Sequence, residues 1–115
     1  MKVIIAGSRT IHDYIQVVLA VRESRFEVTE VVSGGAFGVD RLGEEWARDN
    51  EIPVKHFPAE WRKHRRSAGS IRNGQMAEYA DALIAIHDGE SRGTADMIRQ
   101  AKKAGLLVYI KTMTL

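Results

Sequence analysis

The chain has 115 residues, of which 44% are hydrophobic and 28% charged, and these values fit one globular domain spanning residues 1–115. It has no cysteine and no apolar run near the roughly 20 residues of a membrane span, so we expect a cytoplasmic protein without disulfides, signal peptide or membrane contact. The 17 basic and 15 acidic residues leave a net charge of +2, too small to indicate nucleic-acid binding by itself.

Short apolar runs alternate with helical patterns, which is typical of an α/β domain with a parallel sheet. Strands are predicted at 3–6, 28–33, 54–57, 82–86 and 107–110, and helices at 13–23, 39–50, 69–79 and 94–104. A basic loop precedes the third helix, which Gly74 interrupts. Pro53 and Pro58 put the third strand at a sheet edge, and the fully apolar fourth strand is predicted to be interior. The predicted fold is a Rossmann-like three-layer sandwich, a five-stranded parallel sheet with helices on both faces.

Unusual residues are concentrated in three strand-to-helix turns. Gly7-Ser8-Arg9 follows the first strand, Gly34-Gly35-Ala36-Phe37-Gly38 follows Ser33 at the end of the second, and the segment 88–94 follows the fourth. In parallel α/β sheets, ligands bind beyond the carboxyl ends of the strands, at the topological switch point. The sequence therefore predicts that the three turns line one crevice.

The third turn contains Gly89-Glu90-Ser91-Arg92-Gly93, which matches the G-x-S-x-G pattern of a hydrolase nucleophile elbow. An α/β-hydrolase needs its acid and then its histidine after the serine, and the chain has no histidine beyond Ser91. A phosphate site is the better interpretation, because a helix N-terminus binds anions and glycine lets the backbone approach them. Asp88, Ser91, Arg92, Gly93 and Thr94 are therefore candidate ligand contacts, and we expect a phosphate between the Gly34 and Gly93 turns.

The second turn is a generic phosphate nest rather than a dinucleotide fingerprint, since the first turn holds only Gly7 where G-x-G-x-x-G is required. The chain also lacks a P-loop lysine motif, so we expect no NAD, FAD or other cofactor. Arg9 is predicted to point at the crevice, and Asp40 either supports its helix start or contacts a ribose or base. Four histidines without paired spacing, and no cysteine, predict no metal site.

The segment 61–77 has no acidic residue and five cations, Arg62, Lys63, Arg65, Arg66 and Arg72. It is either a solvated basic loop or a local anion funnel. Trp61, which directly precedes the cations of this segment, either stacks on a base or covers the sheet edge.

GSRT near the start, then SGGAFGVDRLGEEWA, then PAEWRKHRRSAGSIRNGQMAEYADALIAIHDGESRGTADMI resemble the SLOG superfamily in its YspA-type, cpYpsA-related branch. That superfamily includes the DNA-processing protein DprA and the Lonely Guy phosphoribohydrolases. The resemblance spans residues 3 to about 104 and implies a Rossmann-like domain that binds nucleotides, nucleotide-derived ligands or nucleic acid. It also implies that the three turns, with Arg72 and Asn73, face the ligand. The full set of candidate ligand-binding residues is Gly7, Ser8, Arg9, Ser33, Gly34, Gly35, Gly38, Asp40, Arg72, Asn73, Asp88, Ser91, Arg92, Gly93 and Thr94.

One departure from the family bears on catalysis. Lonely Guy enzymes carry P-G-G-x-G-T-x-x-E, and here Met97 stands at the position of the glutamate. Asp96 is about 100° away on the helix, so we do not expect it to substitute without rearrangement. Asp88 and Glu44 are the alternatives for this role, although nothing in the spacing requires either. The sequence thus predicts a sensor or binding domain for a nucleotide or nucleotide-derived ligand. Hydrolysis of the N-glycosidic bond of a nucleoside monophosphate and weak single-strand nucleic-acid binding are the alternatives, and the oligomeric state is open, a homo-oligomer included.

Overall fold

The computed structural model describes residues 1–113 and contains one five-stranded, all-parallel sheet. The elements in chain order are β1 (Lys2–Gly7), α1 (Tyr14–Ser24), β2 (Glu30–Ser33), α2 (Val39–Asp49), β3 (Val54–His56), α3 (Trp61–His64), a 3₁₀ turn (Arg65–Ser67), α4 (Ala68–Tyr79), β4 (Ala82–His87), α5 (Arg92–Lys103) and β5 (Leu107–Thr112). No helix within residues 1–113 is both long and apolar enough to cross a membrane.

The sheet order is β3-β2-β1-β4-β5. The chain adds β2 and β3 on one side of β1, then returns to the other side for β4 and β5, so the switch point lies between β1 and β4. The predicted fold is confirmed, with β3 at an edge and β4 in the interior. Along the β1–β4 pair, Ile5 lies opposite Ile84 and Gly7 opposite Ile86, which brings the turns after both strands together.

Each face of the sheet has its own core, because successive strand residues point to opposite faces. Ile5 and Ile84 are fully buried against α1 and α2 on one face. Leu83 is fully buried on the other face, where Met76 of α4 and Met97 of α5 pack. Fully burying a side chain of this size stabilises the fold by about 1.5–3 kcal/mol. Because the same strands contribute buried side chains to both faces, they hold the helices on both sides of the sheet.

Three sequence-based expectations about elements were wrong. The second strand begins at Glu30 and leaves out 28–29. The predicted basic loop is largely helical, because α3 and the 3₁₀ turn lead directly into α4, whose first residue Ala68 is buried. Gly74 does not interrupt α4. A Cβ at Gly74 would lie 2.9 Å from Oε1 of Gln100, so this glycine is where α4 and α5 come close.

Candidate functional site

A cleft of about 550 Å³ opens at the switch point between β1 and β4, with α4 and α5 forming its far wall. Its volume falls within the roughly 300–1,000 Å³ typical of small-molecule sites. Many of the predicted ligand-binding residues line it: Gly7, Arg9, Asp40, Arg72, Asn73, Ser91, Arg92, Gly93 and Thr94. Residues of the first turn, the third turn and α4 line one crevice together with Ala36 of the second turn, and the assignment of these residues to ligand binding stays a prediction.

A second cavity of about 300 Å³ adjoins the first. Gly34 and Gly35 of the second turn line this cavity, and Ala36 of the same turn lines both cavities, so the second turn borders the crevice through Ala36. The residues shared by the two cavities are Arg9, Ala36, Trp61 and Arg72. The two cavities therefore form one bipartite site with two arginines and an indole at the junction.

Ser8 and Asp88 line neither cavity and instead fix the loop after β4. Ser8 is buried, and its Oγ accepts the backbone N–H of Asp88 at 3.0 Å. The Asp88 carboxylate accepts the backbone N–H groups of Glu90 at 2.8 Å and Ser91 at 3.1 Å. The hydrogen bond from Glu90 is the main cause that holds the pKa of Asp88 at about 2. These residues position the start of α5 from behind the cleft.

Ser33 and Gly38 also line neither cavity. The fully buried Ser33 hydroxyl donates to Oε2 of Glu44 at 2.6 Å and accepts the N–H of Gly35 at 3.1 Å. Gly38 has φ of +79°, and a Cβ there would lie 2.4 Å from the carbonyl oxygen of Ser8. Glycine is required here, because a side chain would disfavour this φ and separate the first and second turns.

Arg72 connects α4 to the second turn. Its Nη1 donates to the carbonyl oxygen of Gly34 at 2.7 Å, and its Nε donates to Oδ1 of Asn73 at 3.2 Å. Burial lowers the pKa of the guanidinium from its ordinary value, the charge of Asp40 raises it, and the charge of Arg9 lowers it. A guanidinium of arginine stays charged in proteins, so Arg72 brings a positive charge to the junction of the cavities.

Asp40, near the start of α2, is a buried carboxyl group on the wall of the larger cavity. Its Oδ2 accepts the N–H of Ala36 at 3.3 Å. Burial raises the pKa of Asp40 to about 6, although hydrogen bonds from the backbone of Ala36 and Gly7 and the charge of Arg72 oppose the rise. A carboxyl group whose pKa burial has raised this far above the ordinary value is typical of functional sites, where perturbed pKa values are concentrated.

The N-terminus of α5 lines the larger cavity. Ser91 caps the helix, since its Oγ accepts the N–H of Thr94 at 3.2 Å and the Thr94 hydroxyl at 2.9 Å. The N–H groups of Arg92 and Gly93 are the first of the helix and have no intrahelical acceptor. A Cβ at Gly93 would meet no atom within 4 Å, so the glycine leaves open space for a ligand to reach the backbone.

A polar network joins α4 to α5 at the rim of the cleft. The buried Asn73 amide donates to Oδ2 of Asp96 at 2.9 Å and to the carbonyl oxygen of Gly93 at 3.3 Å. Gln100 and Ser70 also donate to the Asp96 carboxylate. Partial burial works to raise the pKa of Asp96, but these hydrogen bonds and the charge of Arg99 hold it below its ordinary value.

Several residues of the site were not among the predicted contacts, Arg66 and Asp96 above all. Arg66 belongs to the segment interpreted as a basic loop, and the short helices bring it over the cleft. Both Asp96 and Met97 line the larger cavity, so the 100° between them does not turn Asp96 away. The sequence could have indicated this, because Asp96 and Met97 follow Gly93 by three and four positions and such residues share a helix face. Within residues 1–113, no cluster of three metal-ligating side chains is present.

Comparison with known proteins gives two findings about sequence. The family model described as the YspA, cpYpsA-related SLOG family matches residues 1–64, which include the turns after β1 and β2. The gene 61 protein of Mycobacterium phage D29 is 39% identical over 85 residues, which cover 68% of this chain and 67% of that protein. No solved structure matches the chain significantly.

Proposed function

Because the chain belongs to the YspA, cpYpsA-related SLOG family, we propose that it binds a nucleotide or nucleotide-derived ligand in the cleft between β1 and β4. It does so as a sensor or binding domain. One observation carries the proposal: the open N-terminus of α5 lies in a cleft that also holds four arginines, Arg9, Arg66, Arg72 and Arg92.

The cleft favours an anion. Its four arginines face two carboxylates, Asp40 and Asp96, and Asp96 is already engaged by donors from α4 and α5. The N-terminus of α5 adds roughly half a positive charge from the helix dipole. A phosphate at this end would accept the N–H groups of Arg92 and Gly93 and face the guanidinium groups, which form short charge-assisted hydrogen bonds.

The second turn has a different part in the proposed complex. Two of its backbone donors are already used, because the N–H of Gly35 donates to Ser33 and that of Ala36 donates to Asp40. Arg72 also occupies the carbonyl oxygen of Gly34. We therefore assign the phosphate to the α5 side of the cleft, and the remainder of the ligand extends toward Gly34.

Hydrolysis of an N-glycosidic bond is a second candidate, because the cleft is lined by two carboxyl groups whose pKa values are shifted in opposite directions. Burial raises the pKa of Asp40 to about 6, whereas hydrogen bonds hold the pKa of Asp96 below its ordinary value. Carboxyl groups in one cleft whose pKa values are pushed apart are a feature of acid–base catalytic sites. Met97 stands where Lonely Guy enzymes carry glutamate, so we rank binding above catalysis.

The binding proposal is tested with adenosine monophosphate and inorganic phosphate in a thermal unfolding assay on the full chain. Each should raise the Tm, since a ligand at 100 times its Kd stabilises the native state by about 2.7 kcal/mol. Gly93→Val should abolish the rise without lowering the Tm of the free protein, because a Cβ there meets open space.

Ala95→Val is the matched control. Ala95 is exposed on the same first turn of α5 but lines neither cavity, so this variant should keep the full ligand-induced rise. An equal rise in Tm in both variants would show that the phosphate does not bind at the N-terminus of α5. No rise in the wild-type chain with any nucleoside monophosphate would overturn the proposed function.

A further inference from the structure

Trp61 is a large aromatic side chain left in the open at the junction of the two cavities. It is the first residue of α3, is 53% exposed, and lines both the larger and the smaller cavity. The exposed half of the indole adds nothing to the fold, because apolar surface stabilises only when it is removed from water. The position is one in which a ligand would complete the burial.

The smaller cavity differs in chemistry from the larger one. Next to Trp61 it presents Pro58, Ala59 and the imidazole of His56. Nε2 of His56 lies 3.1 Å from Oε2 of Glu44, which orients the ring. A nucleobase has an apolar, polarisable face and a hydrogen-bonding edge. An indole, two small apolar side chains and one imidazole match those two requirements.

We infer that the smaller cavity holds the base of the ligand, stacked on Trp61, while the larger cavity holds its phosphate. This inference rests on the proposed function. Arg9 and Arg72 lie at the junction and belong to both cavities, so they face the sugar and phosphate that connect the two ends. The site therefore requires a ligand with a planar ring and discriminates against phosphorylated sugars that lack one.

The inference is tested by calorimetric titration of the full chain with ribose 5-phosphate and with the adenosine, guanosine, cytidine and uridine monophosphates. At least one monophosphate should bind about tenfold or more tightly than ribose 5-phosphate, the advantage expected of one stacked base. Trp61→Ala should remove most of that advantage and lower the affinity for ribose 5-phosphate far less, although the indole also borders the larger cavity. Trp61→Phe, which keeps an aromatic face, should restore part of it.

Phe37→Ala is the matched control, because Phe37 is 59% exposed on the second turn but lines neither cavity. It should leave all the affinities unchanged. In a Trp46→Phe background, Trp61 is the remaining tryptophan of the chain. Its fluorescence should then be quenched by the monophosphate and not by ribose 5-phosphate.

The outcomes separate the two proposals. Equal affinities for ribose 5-phosphate and every monophosphate would overturn the base site and leave the phosphate site standing. A Trp61→Ala variant that weakens ribose 5-phosphate as much as the monophosphates would also overturn it, since that pattern indicates a structural role. Failure of all five compounds to bind would overturn the proposed function and this inference together.

Discussion

Arg72 and Gly34 are in direct contact: Nη1 of Arg72 donates to the carbonyl oxygen of Gly34 at 2.7 Å and so connects α4 with the turn after β2. The contact depends on the absence of a side chain, because a Cβ at Gly34 would lie 2.3 Å from Nη1. Arg72 lines both cavities. One backbone contact therefore fixes a cation at the centre of the site.

Gly34→Ala should displace Arg72 and weaken both the fold and nucleotide binding. The hydrogen bond from a charged donor to Gly34 is worth about 1.5–3 kcal/mol, and denaturant unfolding should show a loss of that order. In an Arg72→Ala background the same change should cost much less, since the clash is gone. Additive losses in this double-mutant cycle would contradict the proposed coupling.

Gly69→Ala is the control for the stability measurement in that experiment. Gly69 lies in α4, and the nearest atom to its Cβ would be 3.7 Å away in Trp61, an ordinary contact. Alanine inside a helix is favoured over glycine by about 0.5–1 kcal/mol, so this variant should be as stable as the wild type or more so.

Asp40 should make stability fall as the pH rises from about 4 to 6. Its pKa in the folded protein is about 6, above the ordinary 3.8, so the folded state binds the proton more tightly and loses that advantage as the carboxyl ionises. A shift of this size corresponds to on the order of 2–3 kcal/mol at most. Asp40→Asn cannot ionise, so its Tm relative to the wild type should increase between pH 4 and pH 7. A constant difference over that range would contradict the raised pKa.

Incubation with adenosine monophosphate should release little free adenine, because the resemblance to the Lonely Guy motif implies a glutamate at a position where this chain has Met97. Chromatography of the reaction mixture measures the released base. Multiple turnovers would rank hydrolysis of the N-glycosidic bond above ligand binding as the function. In that case Asp96→Asn and Asp40→Asn would show which carboxyl group carries the reaction, and turnover in both variants would exclude the pair.

Single-stranded oligonucleotides should bind weakly and be released near physiological salt. Arg62, Lys63 and Arg65 are exposed near α3, and each phosphate they neutralised would steepen the salt dependence by about 0.7 log units. The whole chain carries a net charge of only +2, however, so its field for a long polymer is small. Titration of a labelled strand at low and physiological salt measures this.

Arg65→Ala/Arg66→Ala tests whether the cations before α4 contribute to binding, and the oligonucleotide affinity at physiological salt separates the two kinds of ligand. Arg66 lines the larger cavity, so this double variant should weaken nucleotide binding. The small-ligand proposal would be contradicted if the wild-type chain bound an oligonucleotide with sub-micromolar affinity at physiological salt and this variant did not. That result would favour nucleic acid as the ligand.

Local patterns in the sequence were sufficient for the parallel sheet and for the part of the site built on its turns. An apolar run such as 82–86 has to be an interior strand, since both of its faces are apolar, and the carboxyl ends of parallel strands meet at one edge. Gly7, Arg9 and Gly93 were predicted in the crevice on this basis and lie there. Their positions follow from chain neighbours that the sequence displays directly.

Only the tertiary structure decided which predicted residues line the cavities and which support them. Ser8 follows β1 and Ser33 ends β2, so both lie next to glycines of the turns in the sequence. Both are buried, however, and Ser33 is hydrogen-bonded to Glu44 and Ser8 to the backbone of Asp88. Asp96 and Arg66 reach the cleft because α4 and α5 pack closely at Gly74 and because the segment before α4 is helical. These contacts join residues more than ten positions apart, and the direction of a side chain there depends on how helices pack, which local propensity does not encode.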